Sequence, residues 1–145
     1  MADELTDVDE WMVTQLRAST TLSAALASSG FDSTKDAVYV EEIAENATMP
    51  YVLIKTVNTE DLMVVGASRI MTKPVYDVMA VSETESYKAL DTIMSEIDTQ
   101  LHGKSGTQDS TTISFCRREG GTRFPEVRNS RHFRWRVFTY RIWTT

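Results

Sequence analysis

The residues of this chain whose types could do chemistry are two histidines, one cysteine and an isolated carboxylate. Neither His102 nor His132 stands in a metal-ligand spacing such as HExxH, which puts two imidazoles on one helix face. His102 falls at the end of a helical pattern, where a cation caps carbonyls. His132 lies within an arginine-rich strand and reads as a solvated or interface residue. Cys116 is single, which excludes an intramolecular disulfide and a thiolate metal cluster. Neighbouring Arg117 and Arg118 would favour a reactive thiolate, but the plainer reading is a small strand residue. Asp77, in VYDVMAV, is one carboxylate in an otherwise apolar strand. Catalysis there needs a partner acid or base, and the sequence names none; a structural ion pair with Arg134 or Arg136 is the preferred reading. No GxSxG elbow or Walker loop is present, and Gly120-Gly121 reads as a turn. The expectation is a non-enzymatic protein with no catalytic residue, no cofactor and no metal.

Charge is the second source of chemistry. The net charge is −6, but residues 1–100 hold 18 Asp/Glu against 6 Lys/Arg, and residues 101–145 hold 3 against 9. Such segregation implies a basic face for a polyanion, or opposite charges that meet within the fold or between copies. The closing segment RHFRWRVFTYRIW, residues 131–143, sets four arginines and a histidine among five aromatic residues. A nucleic-acid strip would use arginine for phosphate and aromatic rings for bases. However, the chain lacks an RNA-recognition fingerprint, zinc-finger spacing and a GXXG loop. In a strand, alternate residues face opposite sides. One face then shows Phe133, Trp135, Val137 and Thr139, and the other turns from His132, Arg134 and Arg136 to Phe138, Tyr140 and Ile142. The arginines are therefore expected to pair with acidic side chains, in the fold or on another copy.

The elements that must position these residues follow from periodicity. Leu5, Val8, Trp11, Met12 and Leu16 make one helical stripe, and a second helix runs through TTLSAALASS, with Ser19 or Thr20 as N-cap and Gly30 as its stop. AVYVEEI, PYVLIKTV and VYDVMAVS read as strands. Residues 58–73 read as a broad apolar excursion between strands, which needs cover. Ser82 and Glu85 form a capping-box signature ahead of a helix whose buried face is Tyr87, Leu90, Ile93, Met94, Ile97 and Leu101. KSGTQDS reads as a linker, TTISFCRRE as a strand and GGTRFPEVRNS as a turn-rich connection. The expected fold is α+β, a single mixed β-sheet packed against α-helices in the order α-α-β-β-β-α-β-β. Residues 1–145 suit one domain. No apolar run reaches the length of a membrane span, and the acidic N-terminus is unlike a secretory signal, so a cytoplasm-like compartment is expected.

Two N-terminal helices, MPYVLIKTV, an apolar loop, KPVYDVMAVSET running into SYKALDTIMSEIDTQL, and two closing strands together resemble the tail terminator (tail-completion) proteins of tailed bacteriophages. The resemblance spans roughly residues 5–143 and rests on element order and these passages, without an invariant signature. It implies a structural virion protein of the tail and neck, assembled in the host cytoplasm. Such a protein forms a homohexamer ring at the head-proximal end of the tail tube. Its implied partners are the tail tube protein, a head-completion or connector protein, and genomic DNA that passes through the lumen without sequence-specific binding; no membrane is involved. The alternatives are another neck protein, such as a connector or stopper, or a small sequence-independent nucleic-acid binder. For subunit contacts the expectation falls on Leu62, Met63, Val64, Val65 and Ile70 of the apolar loop, and on Arg134 and Arg136 as partners for a neighbour's acidic side chains.

Overall fold

A computed structural model describes residues 4–26, 38–41, 49–63, 69–83 and 87–144. Helix α1 spans Glu4–Arg17 and buries Val8, Trp11, Met12 and Leu16 along one side. Helix α2 spans Thr20–Ala25 and starts at Ser19, whose hydroxyl accepts a hydrogen bond from the Leu22 backbone N–H at 3.1 Å. That contact satisfies one of the orphan donors of the first turn. The same hydroxyl donates at 2.7 Å to Glu96 of α3, Lys88–Leu101, and so ties the two helices together. Leu90, Ile93, Met94, Ile97 and Leu101 of the expected α3 face are all buried. The start of α3 corrects the sequence reading: Ser82 belongs to a strand and pairs with Arg134, and Tyr87 is the N-cap, with no side-chain cap bond. Glu85 and Gly30 lie outside the described residues.

Six strands form one mixed sheet in the order β1-β2-β3-β6-β5-β4. They are β1 (Val38–Val40), β2 (Tyr51–Met63), β3 (Arg69–Ser82), β4 (Gly106–Gln108), β5 (Thr111–Arg128) and β6 (Arg131–Thr144). The β1–β2 pair is parallel and the other pairs are antiparallel. The architecture is thus the expected α+β single sheet, with β4 as an additional strand where a linker was expected.

Two segments differ from their sequence reading for physical reasons. Residues 58–73 are largely not an excursion: β2 and β3 continue as an antiparallel pair from Asn58↔Val75 out to Met63↔Arg69. Pro74 sits within β3 opposite Thr59, and the β3–β6 register passes from Thr72↔Thr144 to Val75↔Arg141 without a partner for Pro74 on β6. A proline without an N–H fits such an interruption in the ladder. The second segment is GGTRFPEVRNS, where β5 runs on through Gly120, Gly121 and Pro125 to Arg128. Only Asn129 and Ser130 turn, with φ of 50° and 64°, the sign that a two-residue hairpin with right-handed strand twist requires.

The helices and the sheet share one core, in which Tyr76, Val78, Ala80, Cys116, Tyr140 and Ile142 come from the strands. Residues of alternate parity on the same strands build a second, smaller cluster of Tyr51, Val81, Phe133 and Trp135 on the other face. Both faces of β6 are therefore buried for part of their length. Ser19→Ala removes the α2 cap and the tie to Glu96, and should lower unfolding free energy by about 1 kcal/mol. A urea titration with an unchanged midpoint would show that neither contact stabilises the fold.

Candidate assembly surface on the closing hairpin

The closing hairpin leaves the helical layer partway along its length. β5 is buried at Thr111, Ile113 and Cys116, and is exposed from Arg117 onward except at half-buried Glu126. Strand β4 pairs only with Thr111–Ile113. Beyond that point the outer edge of β5 has no strand partner among the described residues. Where the hairpin emerges, contacts at the end of α3 fix it. Asp98 accepts from the Tyr140 hydroxyl at 3.0 Å and pairs with Arg118 at 3.4 Å. His102 Nδ1 accepts from the Arg118 backbone N–H at 3.0 Å, and the Gly103 N–H donates to the Cys116 carbonyl at 2.7 Å. His102 therefore does not cap helix carbonyls with its side chain, as the sequence reading had it; its imidazole serves as an acceptor for the strand.

On the helix side, Arg118, Arg123, Arg134 and Arg136 gather around Phe138 and Tyr87. Arg118 lies 4.5 Å and Arg136 5.8 Å from the Phe138 ring centre, and Arg136 also pairs with Asp91 of α3. Arg123 and Arg134 lie 4.8 Å and 5.6 Å from the Tyr87 ring centre. Neither has a carboxylate partner among the described residues. An open groove of about 550 Å³ runs across this face, floored by Gly120 and Gly121 and walled by Arg118, Arg123, Arg136 and Phe138. A Cβ on Gly121 would stand 2.8 Å from a Phe138 ring carbon and 2.9 Å from the Val137 carbonyl oxygen. Glycine is thus required for the strands to lie this close, and the floor is bare backbone.

The other face of the hairpin is aromatic. Phe124 stacks on Trp135 at 5.7 Å and 12° between planes, and Tyr51 meets Trp135 edge-on at 6.4 Å. Arg128 and Arg131 flank Phe133 while pairing with Glu126 and Glu83. Arg117 and Arg141 share Glu119. Burial pushes the Glu119 carboxyl up, but hydrogen bonds from both arginines outweigh it and hold the group below the usual carboxylate range. Most arginines of the hairpin therefore answer to acids of their own chain, and Phe133 and Trp135, 6% and 8% exposed, are packing residues that leave little ring surface for base stacking.

Strand parity corrects the Asp77 reading. Asp77 faces the side of the sheet that carries Thr139, whose hydroxyl donates to it at 2.8 Å. Arg134 and Arg136 lie opposite Ser82 and Ala80, on the helix side. An ion pair between Asp77 and either arginine would have to cross the sheet. His132 is exposed opposite Val127, and neither this groove nor the second one described below is lined by Asp77 or His132. Of the expected contact residues, Val64 and Val65 lie outside the described residues, as do the side chains of Leu62, Met63 and Ile70. Arg134 sits on the hairpin without a carboxylate among the described residues, whereas Arg136 is already matched by Asp91. Sequence reasoning missed Arg123 and Tyr87 as members of this cluster. With GGTRFPEVRNS, residues 120–130, read as a turn-rich connection, the face of Arg123 could not be assigned.

No protein-family model matches the chain, and no curated protein matches it in sequence. Sixteen chains of solved structures match its fold. One is a chain of the "Virion of native gene transfer agent (GTA) particle", at a TM-score of 0.77 and 11% identity, with 100% of each chain covered. At that identity the likeness is one of fold.

Cys116 is fully buried between α3 and the sheet, and burial, with the Asp98 charge adding to it, pushes its thiol up to about 12. The two arginines that follow it in sequence, Arg117 and Arg118, do not activate it. A thiol-specific reagent should modify the native protein only as fast as it unfolds, and react at once in denaturant; rapid stoichiometric labelling of the native protein would contradict this placement.

Proposed function

We propose that this chain is a structural protein of a phage-like virion, and within it a tail terminator: a ring at the head-proximal end of the tail tube that ends polymerisation and offers a joining surface to the neck. The observation that carries the reading is the end-to-end likeness of fold to a chain of a gene transfer agent virion. The resemblance of the sequence passages to tail terminators supports the finer assignment. The open edge of β5 and the glycine-floored groove also suit a protein that works through contacts with other subunits. The ring would contact the tail tube protein on one side and a head-completion or connector protein on the other, with DNA passing through its lumen.

Light scattering over a concentration series, with negative-stain images, should show closed six-membered rings. Labelled protein added during tail-tube assembly should bind one end of each tube and limit its length. Label on the head vertex alone would assign the chain to a connector or stopper instead, and absence of rings both in solution and on tubes would remove the terminator reading.

A further inference from the structure

The β5–β6 hairpin carries positive charge that no carboxylate among the described residues neutralises, and the other end of β5 carries negative charge with no cation paired to it among the described residues. At the hairpin, Arg123 and Arg134 have Tyr87 for company and no carboxylate among the described residues. A guanidinium resting on a ring still presents free N–H donors. At the opposite end, carboxylate oxygens of Asp7, Glu10 and Asp109 lie within 4.8 Å of one another. Asp7 accepts from Thr111 at 2.7 Å and Glu10 from Gln108 at 3.2 Å, both neutral donors. Next to them is a groove of about 430 Å³ lined by Asp9, Glu10, Thr14 and Gln108, with Val13 and Val40 as its apolar part and Arg17 as its one cation among the described residues.

The two clusters cannot neutralise each other within a chain. Arg123 lies twelve residues beyond Thr111 on the same strand, about 40 Å at roughly 3.3 Å per residue. That is several times the Debye length of about 8 Å at physiological salt. Sites of opposite charge at opposite ends of one rigid strand are complementary only between molecules, and repeated head to tail the contact they form is heterologous, the kind that closes a ring.

We infer that the Arg123–Arg134–Tyr87 face of one copy seats against the Asp7–Glu10–Asp109 end of α1 and the β4–β5 turn of a second copy. The occupant of the glycine-floored groove is then an acidic segment of the next subunit. This deepens the ring reading, and rests on it for the partner being a second copy. It moves the charged contact from Arg136, matched within its own chain, to Arg123 and Arg134.

The test uses two charge-swapped variants of the full chain. One is Arg123→Glu with Arg134→Glu. The other is Glu10→Lys and Thr14→Lys with Asp109→Asn, because asparagine accepts the positive φ of 51° at that turn. Thermal melts by circular dichroism confirm that each is folded. Sedimentation velocity over a concentration series, at low and high salt, compares wild type, each variant and their equimolar mixture; the same four samples are compared for binding to tube ends. Each variant alone opposes like charges at every contact and should associate more than about tenfold more weakly than wild type. The mixture should regain association, in rings of even subunit number, because alternating subunits restore opposite charges at every contact. Variants that each assemble like wild type would remove this contact and leave the ring reading standing. So would a mixture that stays dissociated while wild type forms rings. Wild type that forms no ring in solution or on tubes would remove the ring reading itself. Salt-sensitive retention of wild type on DNA, lost in the arginine variant and not restored by mixing, would assign the arginine face to phosphates and overturn the inference.

Discussion

A mismatch of lengths governs this structure. A helix rises 1.5 Å per residue and a strand about 3.3 Å. The fourteen residues of α3 therefore reach about 21 Å, while the fourteen of β6 reach about 46 Å and the eighteen of β5 about 60 Å. The helical layer cannot cover the sheet it packs on. Where the cover ends, the sheet must present surfaces that tolerate water on both sides. Arginine guanidiniums laid over aromatic rings achieve this, because the planar group rests on the ring while its N–H donors remain available to water. Arg134 and Arg136 meet Tyr87 and Asp91 at the start of α3, and Tyr140 meets Asp98 near its end, so the arginines of β6 mark the line at which the helical cover begins.

The helices and the main core were legible in the sequence because their period is strong and local: Val8, Trp11, Met12 and Leu16, then Leu90, Ile93, Met94, Ile97 and Leu101, are buried as their spacing requires. The parity of β6 was legible for the same reason. The long reach of β5 was not, because Gly120, Gly121 and Pro125 are ordinarily breakers. They are tolerated here because no strand among the described residues pairs on the outer side of β5 at these positions, so a missing N–H or a local irregularity costs no ladder bond on that side. Residues 58–63 and 69–73 were misjudged in the same direction. Asn58, Glu60 and Asp61 have poor strand propensity, yet pairing with β3 holds them extended.

The candidate surface was legible only in part. That cationic residues of the closing strand matter was visible from composition; which of them are uncommitted depends on where α3 places its acids. Asp91 falls against Arg136, and Asp98 against Arg118, which leaves Arg123 and Arg134 with Tyr87. Asp77 shows the same limit. Alternation applied to β6 alone could not say which side of β3 it shares, and the register, Asp77↔Thr139, decides the matter.

The cluster at the end of α3 has a mechanical consequence. Asp98, His102 and Gly103 grip β5 and β6 on neighbouring residues, through Arg118, Tyr140 and Cys116. The hairpin is thus a cantilever built into a wall, without a hinge at its root. A load applied near Asn129 and Ser130 would bend the ribbon's tip and be taken up first by β3 at Ser82↔Arg134 and by the start of α3 through Asp91 and Arg136, and only then by the last turn of α3. An arm of this kind holds its tip in register before any contact is made, so a neighbour meeting it loses little conformational entropy.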